Sequence, residues 1–398
     1  MRSDPWLRAE QARGPLPAET DVAIVGGGLA GTATAYYLAR EGVDVVLLER
    51  SELNREASGT NAGSFHFQIA IHQLTARETE SSHARLLSDV RMHSAAAELW
   101  GTLEDDLDAS LGVHTTGGLM VAETPEELQI LHDKHLIEAE AGLETHVLEG
   151  DELRRLAPYL ADDLAGASFC PSEGHANPFL AAPLFALRAA ERGAVIRTQT
   201  EVTGVASGFR IETTNGTLRA NRIVNAAGAW ANDLAALSGV RLPLRVEGLH
   251  VNVTEPRQKV LEPLIQHIGR RLTLKQAANG TFIIGGGWPA HPEARPSRFS
   301  TLWESAAGNA AVAVRVMPSL ADVRIVRMWT GVMAFTDDLQ PVVGELPELP
   351  GYFTCIATTG FTLSPMIARM LAAHVARGEP LPPEYAPDRK GSRWTATT

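Results

Sequence analysis

Continuous apolar runs, alternating runs and helical rhythms follow one another along this chain in a definite order. Residues 22–25 are unbroken apolar, which suits a short strand buried on both faces. From Leu29 the apolar positions take helical spacing, and residues 44–49 return to an apolar strand that ends in an acid. Residues 76–107 read as helix, with Leu86, Val90, Ala97, Leu99 and Trp100 on the buried face. A strand follows at 117–121. Thr124 then caps a helix that has Pro125 in its first turn and is ended by Gly142. Residues 178–192 form a helix stopped by Gly193, and residues 194–200 a strand. Asn215 and Gly216 turn a hairpin between 209–214 and 217–220. A buried strand from Arg222 runs into small residues at Gly228, and a helix covers 229–237. Alternation returns at 246–253, 271–275 and 281–285, with a turn at Asn279 and Gly280. The last predicted elements are a helix at 300–317 closed by Pro318, a strand at 323–332, a strand at 352–357 and a helix at 364–377. The tail from Pro380 is proline-rich and polar and is expected to be poorly ordered.

The units that suit a parallel sheet stand at the start, middle and end of the chain, with the alternating strands between them. This predicts an α/β fold in which a Rossmann-like dinucleotide-binding domain is interrupted by an antiparallel-sheet α+β substrate domain. The expected segments are an arm at 1–20, anchored by Trp6 if it lies on the surface; the dinucleotide domain at 21–85, 150–240 and 334–380; the substrate domain at 86–149 and 241–333; and a tail at 381–398.

The opening unit carries the clearest chemistry. Gly26, Gly28 and Gly31 stand at G-x-G-x-x-G spacing between the first strand and the first helix. Gly26 permits the tight turn, Gly28 lets a pyrophosphate approach the backbone, and Gly31 lets helix and strand pack closely. The helix N-terminus offers N–H groups and a positive dipole end to the anion. Glu49 ends the second strand close to the ~20-residue spacing at which a carboxylate takes ribose hydroxyls. The small-residue loop from Glu56 to Ser64 follows this strand, where backbone contacts a bound dinucleotide.

Length narrows the picture to about two domains for 398 residues. The net charge of −12 and the lack of a basic block argue against nucleic acid or an anionic membrane surface as partner. Cys170 and Cys355, far apart in sequence, build neither a disulfide framework nor a zinc site. No apolar run suits a secretory signal or a spanning helix, so a cytoplasmic protein is expected.

With these motifs in place the chain resembles the D-amino-acid-oxidase-type flavoproteins, which include glycine and sarcosine oxidases. The resemblance covers residues 20–378. It rests on the opening glycine unit, on the run from Ala57 to Gly63, on Gly174 to Pro178 with Asn225 to Trp230, and on Trp329 to Gly331 with Thr359 to Leu363. Asn61 to Ser64, Leu272 to Gln276, Gly285 to Trp288 and Gly360 to Pro365 are most similar to one branch, that of opine oxidase, hydrogen cyanide synthase and D-hydroxyproline dehydrogenase FAD subunits. The resemblance implies FAD. Gly26, Gly28, Leu29, Ala30, Gly31 and Glu49 would hold its ADP half, and Arg50, Ser58, Gly59, Thr60, Asn61, Ala62 and Gly63 its pyrophosphate and ribitol. Val202 would face the adenine side, and Ala227, Gly228, Gly331, Gly360, Phe361, Thr362 and Leu363 the flavin end.

The implied reaction oxidises a C–N bond of an amine or amino acid by hydride transfer to flavin N5, giving an imine that hydrolyses. Three departures from the family pattern matter. Met333 stands where relatives carry an arginine for the substrate carboxylate. No lysine occupies residues 281–285, where sarcosine oxidases place one near the site of oxygen reaction. No cysteine lies near residue 330 to attach the flavin. Non-covalent FAD and weak oxygen reactivity are therefore expected, and a dehydrogenase more than an oxidase. His66, His250, Lys275, Trp329 and Met333 are the candidate substrate contacts. The histidines also read as ordinary packed residues, Lys275 as a solvated strand residue and Trp329 as part core. An iron–sulfur or flavin partner protein would accept the electrons; this chain has no C-x-x-C to hold a cluster of its own. A stand-alone oxidase that releases hydrogen peroxide and a non-catalytic FAD-binding subunit are the competing readings.

Overall fold

The computed structural model describes residues 12–70, 80–242, 244–294 and 297–389. Two eight-stranded sheets organise it. In the first, Glu19–Val25 pairs in parallel with Val45–Leu48 on one side and Gly216–Asn225 on the other. Val195–Arg197 and Tyr352–Ile356 extend the parallel set at its two edges. Val22, Ile24, Val45 and Leu47 pack with the helices Leu29–Arg40, Pro178–Glu191 and Gly360–Arg377, while Ala23, Val46 and Leu48 pack with Ile223, Ala231 and Tyr352 on the opposite face. Burial on both faces is why these strands read as unbroken apolar runs.

The second sheet has the order Ile325–Phe335, Arg245–Pro256, Thr281–Gly285, Thr273–Gln276, Leu264–His267, Gly118–Ala122, Gly166–Cys170, His146–Leu148. It is antiparallel except between Leu264–His267 and Gly118–Ala122. Leu274, Phe282 and Ile284 pack on Ala313 and Val316 of the helix Trp303–Val316. The other face turns toward the first sheet: Trp329 Nε1 donates to Thr60 O at 2.7 Å.

The expected α/β architecture with an antiparallel second sheet is present, with local differences. Gly166–Cys170 belongs to the second sheet although it lies within 150–240. The strand expected at 194–200 is only Val195–Arg197, because the chain leaves the sheet as Thr198 N bonds Ala12 O and Gln199 takes a φ of 52°. The strand expected to stop at 332 continues to Phe335, pairing Met333 with Glu247. The last helix starts at Gly360 rather than 364. The tail is not loose through residue 389: Tyr385 is buried, and Arg389 binds Asp338 at 2.8 Å through two nitrogens. Of the arm, Ala12 and Pro15 lie against the sheet, accepting from Thr198 N and the Arg197 guanidinium. Trp6, the expected start of the helix at 76, and residues 390–398 lie outside the described residues. Among the described residues no helix is long and apolar enough to cross a membrane.

Candidate active site

The glycine turn is built as its spacing demands. Gly26 has φ 119°, and a Cβ there would stand 2.4 Å from Ala226 O. A Cβ on Gly31 would stand 2.0 Å from Gly26 O, so only glycine lets the helix sit on the turn. The helix Leu29–Arg40 has Gly28 as N-cap, which brings no capping side chain of its own. Ser58 Oγ accepts from Leu29 N at 2.9 Å, tying the small-residue loop to that helix end. Glu49 holds the turn from the far side: Oε2 accepts from Gly27 N at 2.7 Å, and Oε1 from Ser51 N at 2.8 Å. Arg50 stacks its guanidinium 3.9 Å from the Trp230 ring centroid.

These groups open onto a cavity of about 670 Å³. Gly26, Gly28, Leu29, Ala30, Glu49, Arg50, Ser58, Asn61, Val202, Ala227, Gly228, Gly360 and Phe361 line it, as does Met333. The other expected cofactor residues stand off its wall. Gly31, Gly59 and Gly63 allow close backbone approaches, the last two to Asn54 O and Ala176 O. Thr60 anchors Trp329, and a Cβ on Gly331 would come within 3.1 Å of Thr60 Oγ1. Thr362 Oγ1 accepts from His66 N at 3.3 Å, and Leu363 is core. Nothing in the structure gives Ala62 a particular role. The helix Gly360–Arg377 also begins without a side-chain cap, so two helix N-termini face one cavity. A negatively charged dinucleotide fits this cradle: bare glycine backbone and one dipole end for the pyrophosphate, Glu49 for hydroxyls, and a second dipole end where charge develops on a reduced ring.

Strand register sorts the substrate candidates. Trp329, Gly331 and Met333 stand opposite Val251, Leu249 and Glu247; Val253 stands opposite Ile283, and Ile283 opposite Lys275. Paired residues of an antiparallel ladder share a face, so Lys275, Ile283, Trp329 and Met333 lie on one face of the sheet; of these only Met333 lines the cavity itself. Gln266, opposite Thr273, joins them. His250 does not. It stands opposite Thr330 on the other face and bonds Asn252 Oδ1 at 2.8 Å beneath the helix Trp303–Val316, where Asn252 also meets Ala306 O and Asn309. His66 lies beside the cavity's Phe361 end: the neighbouring Phe65 stacks on Phe361 at 5.9 Å, and Ser64 pairs with His175. Burial, and then the charge of Lys275, hold His66 down to about 4 and His175 to about 3, so both are neutral near pH 7. Lys275 is buried, not solvated, and burial holds it down to about 8.

The FAD-dependent oxidoreductase (DAO) family model matches residues 21–374. The chain belongs to the DAO family of FAD-dependent oxidoreductases. It is 29% identical over 374 residues to a subunit of opine oxidase from Rhizobium meliloti, covering 91% of this chain and 94% of that one. It is 28% identical to human mitochondrial sarcosine dehydrogenase over 92% of this chain, but spans only 40% of that protein. Among solved structures, L-proline dehydrogenase from P. horikoshii superposes with a TM-score of 0.84 at 25% identity, over 94% of this chain and 98% of that one.

In this FAD-dependent oxidoreductase some residues near the site carry no clear mark in the sequence. Glu173 is fully buried and accepts from Phe67 N at 2.7 Å and Gln68 N at 2.9 Å, fixing the strap that carries His66. The Gln266 side chain lies against His66. His175 and Glu173 flank the Gly174 motif, which was a usable signal; Gln266 sits in a strand with none. Cys355 also lines the cavity, but burial pushes its thiol up to about 12, which leaves no thiolate to attack a ring.

Proposed function

We propose that the chain oxidises a C–N bond of an amine or amino acid to an imine, as a dehydrogenase with non-covalently held FAD. The observation that carries this reading is the meeting, at one end of the glycine-lined cavity, of the uncapped helix start at Gly360 with the sheet face bearing Met333 and Trp329. FAD, when bound, supplies the hydride acceptor. Trp329 fixes the second sheet to the FAD loop through Thr60. Met333 gives the wall an uncharged side chain, and an apolar wall disfavours an ammonium, so the amine is met in its reactive, unprotonated form. The names of the relatives support the substrate class: opine oxidase, sarcosine dehydrogenase and L-proline dehydrogenase all refer to amines. The opine oxidase relative is one subunit of its enzyme, which supports a partner that accepts the electrons.

An oxidase reading has one observation in its favour. Lys275 stands directly opposite Ile283, on the strand neighbouring the one where sarcosine oxidases carry their lysine. Anaerobic mixing of the yellow holoenzyme with sarcosine, L- and D-proline, D-hydroxyproline and octopine, followed by air, separates the two. Bleaching with slow reoxidation is expected. Rapid reoxidation with stoichiometric peroxide would instead establish the oxidase, and no bleaching by any amine would overturn both. Acid precipitation should release all the flavin; yellow protein in the pellet would refute non-covalent binding.

A further inference from the structure

Two lysines are buried among the described residues, Lys134 and Lys275, and they differ in one respect. Lys134 Nζ is held by Glu138 at 2.7 and 2.8 Å, Gln68 at 3.0 Å and Ser168 at 3.3 Å. This is the usual condition of a buried charge. Lys275 is only 6% exposed, yet its ammonium has no hydrogen bond and no ion pair among the described residues. Its direction is settled by register: Leu274, the residue before it, packs toward the helix Trp303–Val316, so Lys275 points to the cavity side with Gln266 and Trp329. His66 and His175 are within reach of its charge, and His66 Nδ1 is buried without a partner. His66 in turn is fastened by its N–H to Thr362 in the first turn of the helix that opens on the cavity. The nearby acid, Glu173, is already engaged by the N–H groups of Phe67 and Gln68 and by the side chains of Gln68 and Gln266. A cation on a buried residue, without an anion among the described residues and within reach of an imidazole whose Nδ1 has no partner, is half of an ion pair.

We propose that Lys275 is the anchor for the substrate's carboxylate, with His66 Nδ1 beside it, so that the amine oxidised here is that of an amino acid or N-alkyl amino acid and not a simple amine. This rests on the reading of the cavity as a site of C–N oxidation. It also explains how a carboxylate is held although Met333 offers no charge. The groups facing the ammonium are His66 and His175, both neutral above about 4. Lys275 is therefore the group whose titration, near 8 in the free site, governs anion binding. Affinity for a carboxylate is full below pH 8 and falls about tenfold per pH unit above it.

The test uses the FAD-loaded enzyme and two non-reacting probes of equal shape, pyrrole-2-carboxylate and pyrrole-2-carboxamide, read by the flavin difference spectrum. Wild type should bind the carboxylate and discriminate against the amide. Lys275→Met should weaken carboxylate binding by ~50-fold while leaving the amide unchanged, and Lys275→Arg should recover most of the loss. The melting temperature of Lys275→Met should be unchanged or higher, since an ammonium with no partner among the described residues is removed from a largely buried position. A melting temperature that falls together with affinity for both probes would reveal a structural lysine and overturn the proposal. So would carboxylate affinity unaltered in Lys275→Met, or a variant whose only defect is slow reoxidation by air. If carboxylates bind through Lys275 but no amino acid bleaches the flavin, the anchor stands and the C–N oxidation reading fails.

Discussion

Glu49 carries two duties at the scale of a single side chain. Its spacing marks it for ribose hydroxyls, yet both its oxygens already brace the turn through Gly27 N and Ser51. Glu49→Ala should therefore cost ~1–3 kcal/mol of stability as well as FAD affinity; thermal unfolding of apoprotein and flavin retention on gel filtration separate the two, and an apoprotein as stable as wild type would refute the bracing role. Gly31 is a starker case. Any Cβ meets Gly26 O at 2.0 Å, so Gly31→Val must push helix from strand. A loss of ~1–3 kcal/mol or more, with colourless purified protein, is the expected outcome, measured by melting temperature and flavin-to-protein absorbance ratio.

At the scale of elements, the site is a contact between a loop from one sheet and an edge strand from the other. The strand Ile325–Phe335 is exposed along its first residues and half-buried where Trp329 and Gly331 meet the loop at Thr60. The indole N–H of Trp329 is the side-chain bond that ties this strand to that loop. Trp329→Phe keeps a ring and removes the donor, so ~1 kcal/mol of stability should go and the flavin spectrum should shift. A spectrum and melting temperature identical to wild type would show that the strand is positioned without this bond.

For the whole molecule, the C-terminal segment acts as a clasp. Asp338 receives Arg389 and Arg85, and Asp89 receives Gln340 and Tyr385, joining the segment from Tyr385 to Arg389 to the long helix Glu80–Asp106. Burial raises the Asp338 carboxyl, but the bonds and charge of Arg389 outweigh it and hold the group well below the carboxylate range. A depressed folded pKa contributes stability that is present above the unfolded value of about 3.9 and is lost as pH falls through the folded one. Acid should thus loosen the Asp338 arm of the clasp below pH ~4, and Asp338→Asn should do so at neutral pH. Carboxypeptidase trimming past Arg389, faster in the variant, checks this; equal rates would refute it.

What was legible in the chain is local. The glycine turn, Glu49 and the small-residue loop follow from backbone needs that only certain residues meet, so spacing alone reveals them. The apolar runs of the parallel strands are equally local, because burial on both faces leaves no polar position. Register is different. His250 and Lys275 look alike in sequence, each a polar residue in an alternating strand, and only pairing across strands decides that one lies under a helix and the other on the opposite face, which it shares with Trp329 and Met333. The clasp at Tyr385 was hidden for the same reason: a proline-rich polar tail reads as loose until Asp89 and Asp338, far earlier in the chain, supply its partners. Sequence by itself determined the cofactor cradle, since short-range stereochemistry builds it. Only the tertiary structure decided which polar strand residues share the face of Met333 and which lie under a helix, since that depends on how distant strands pair.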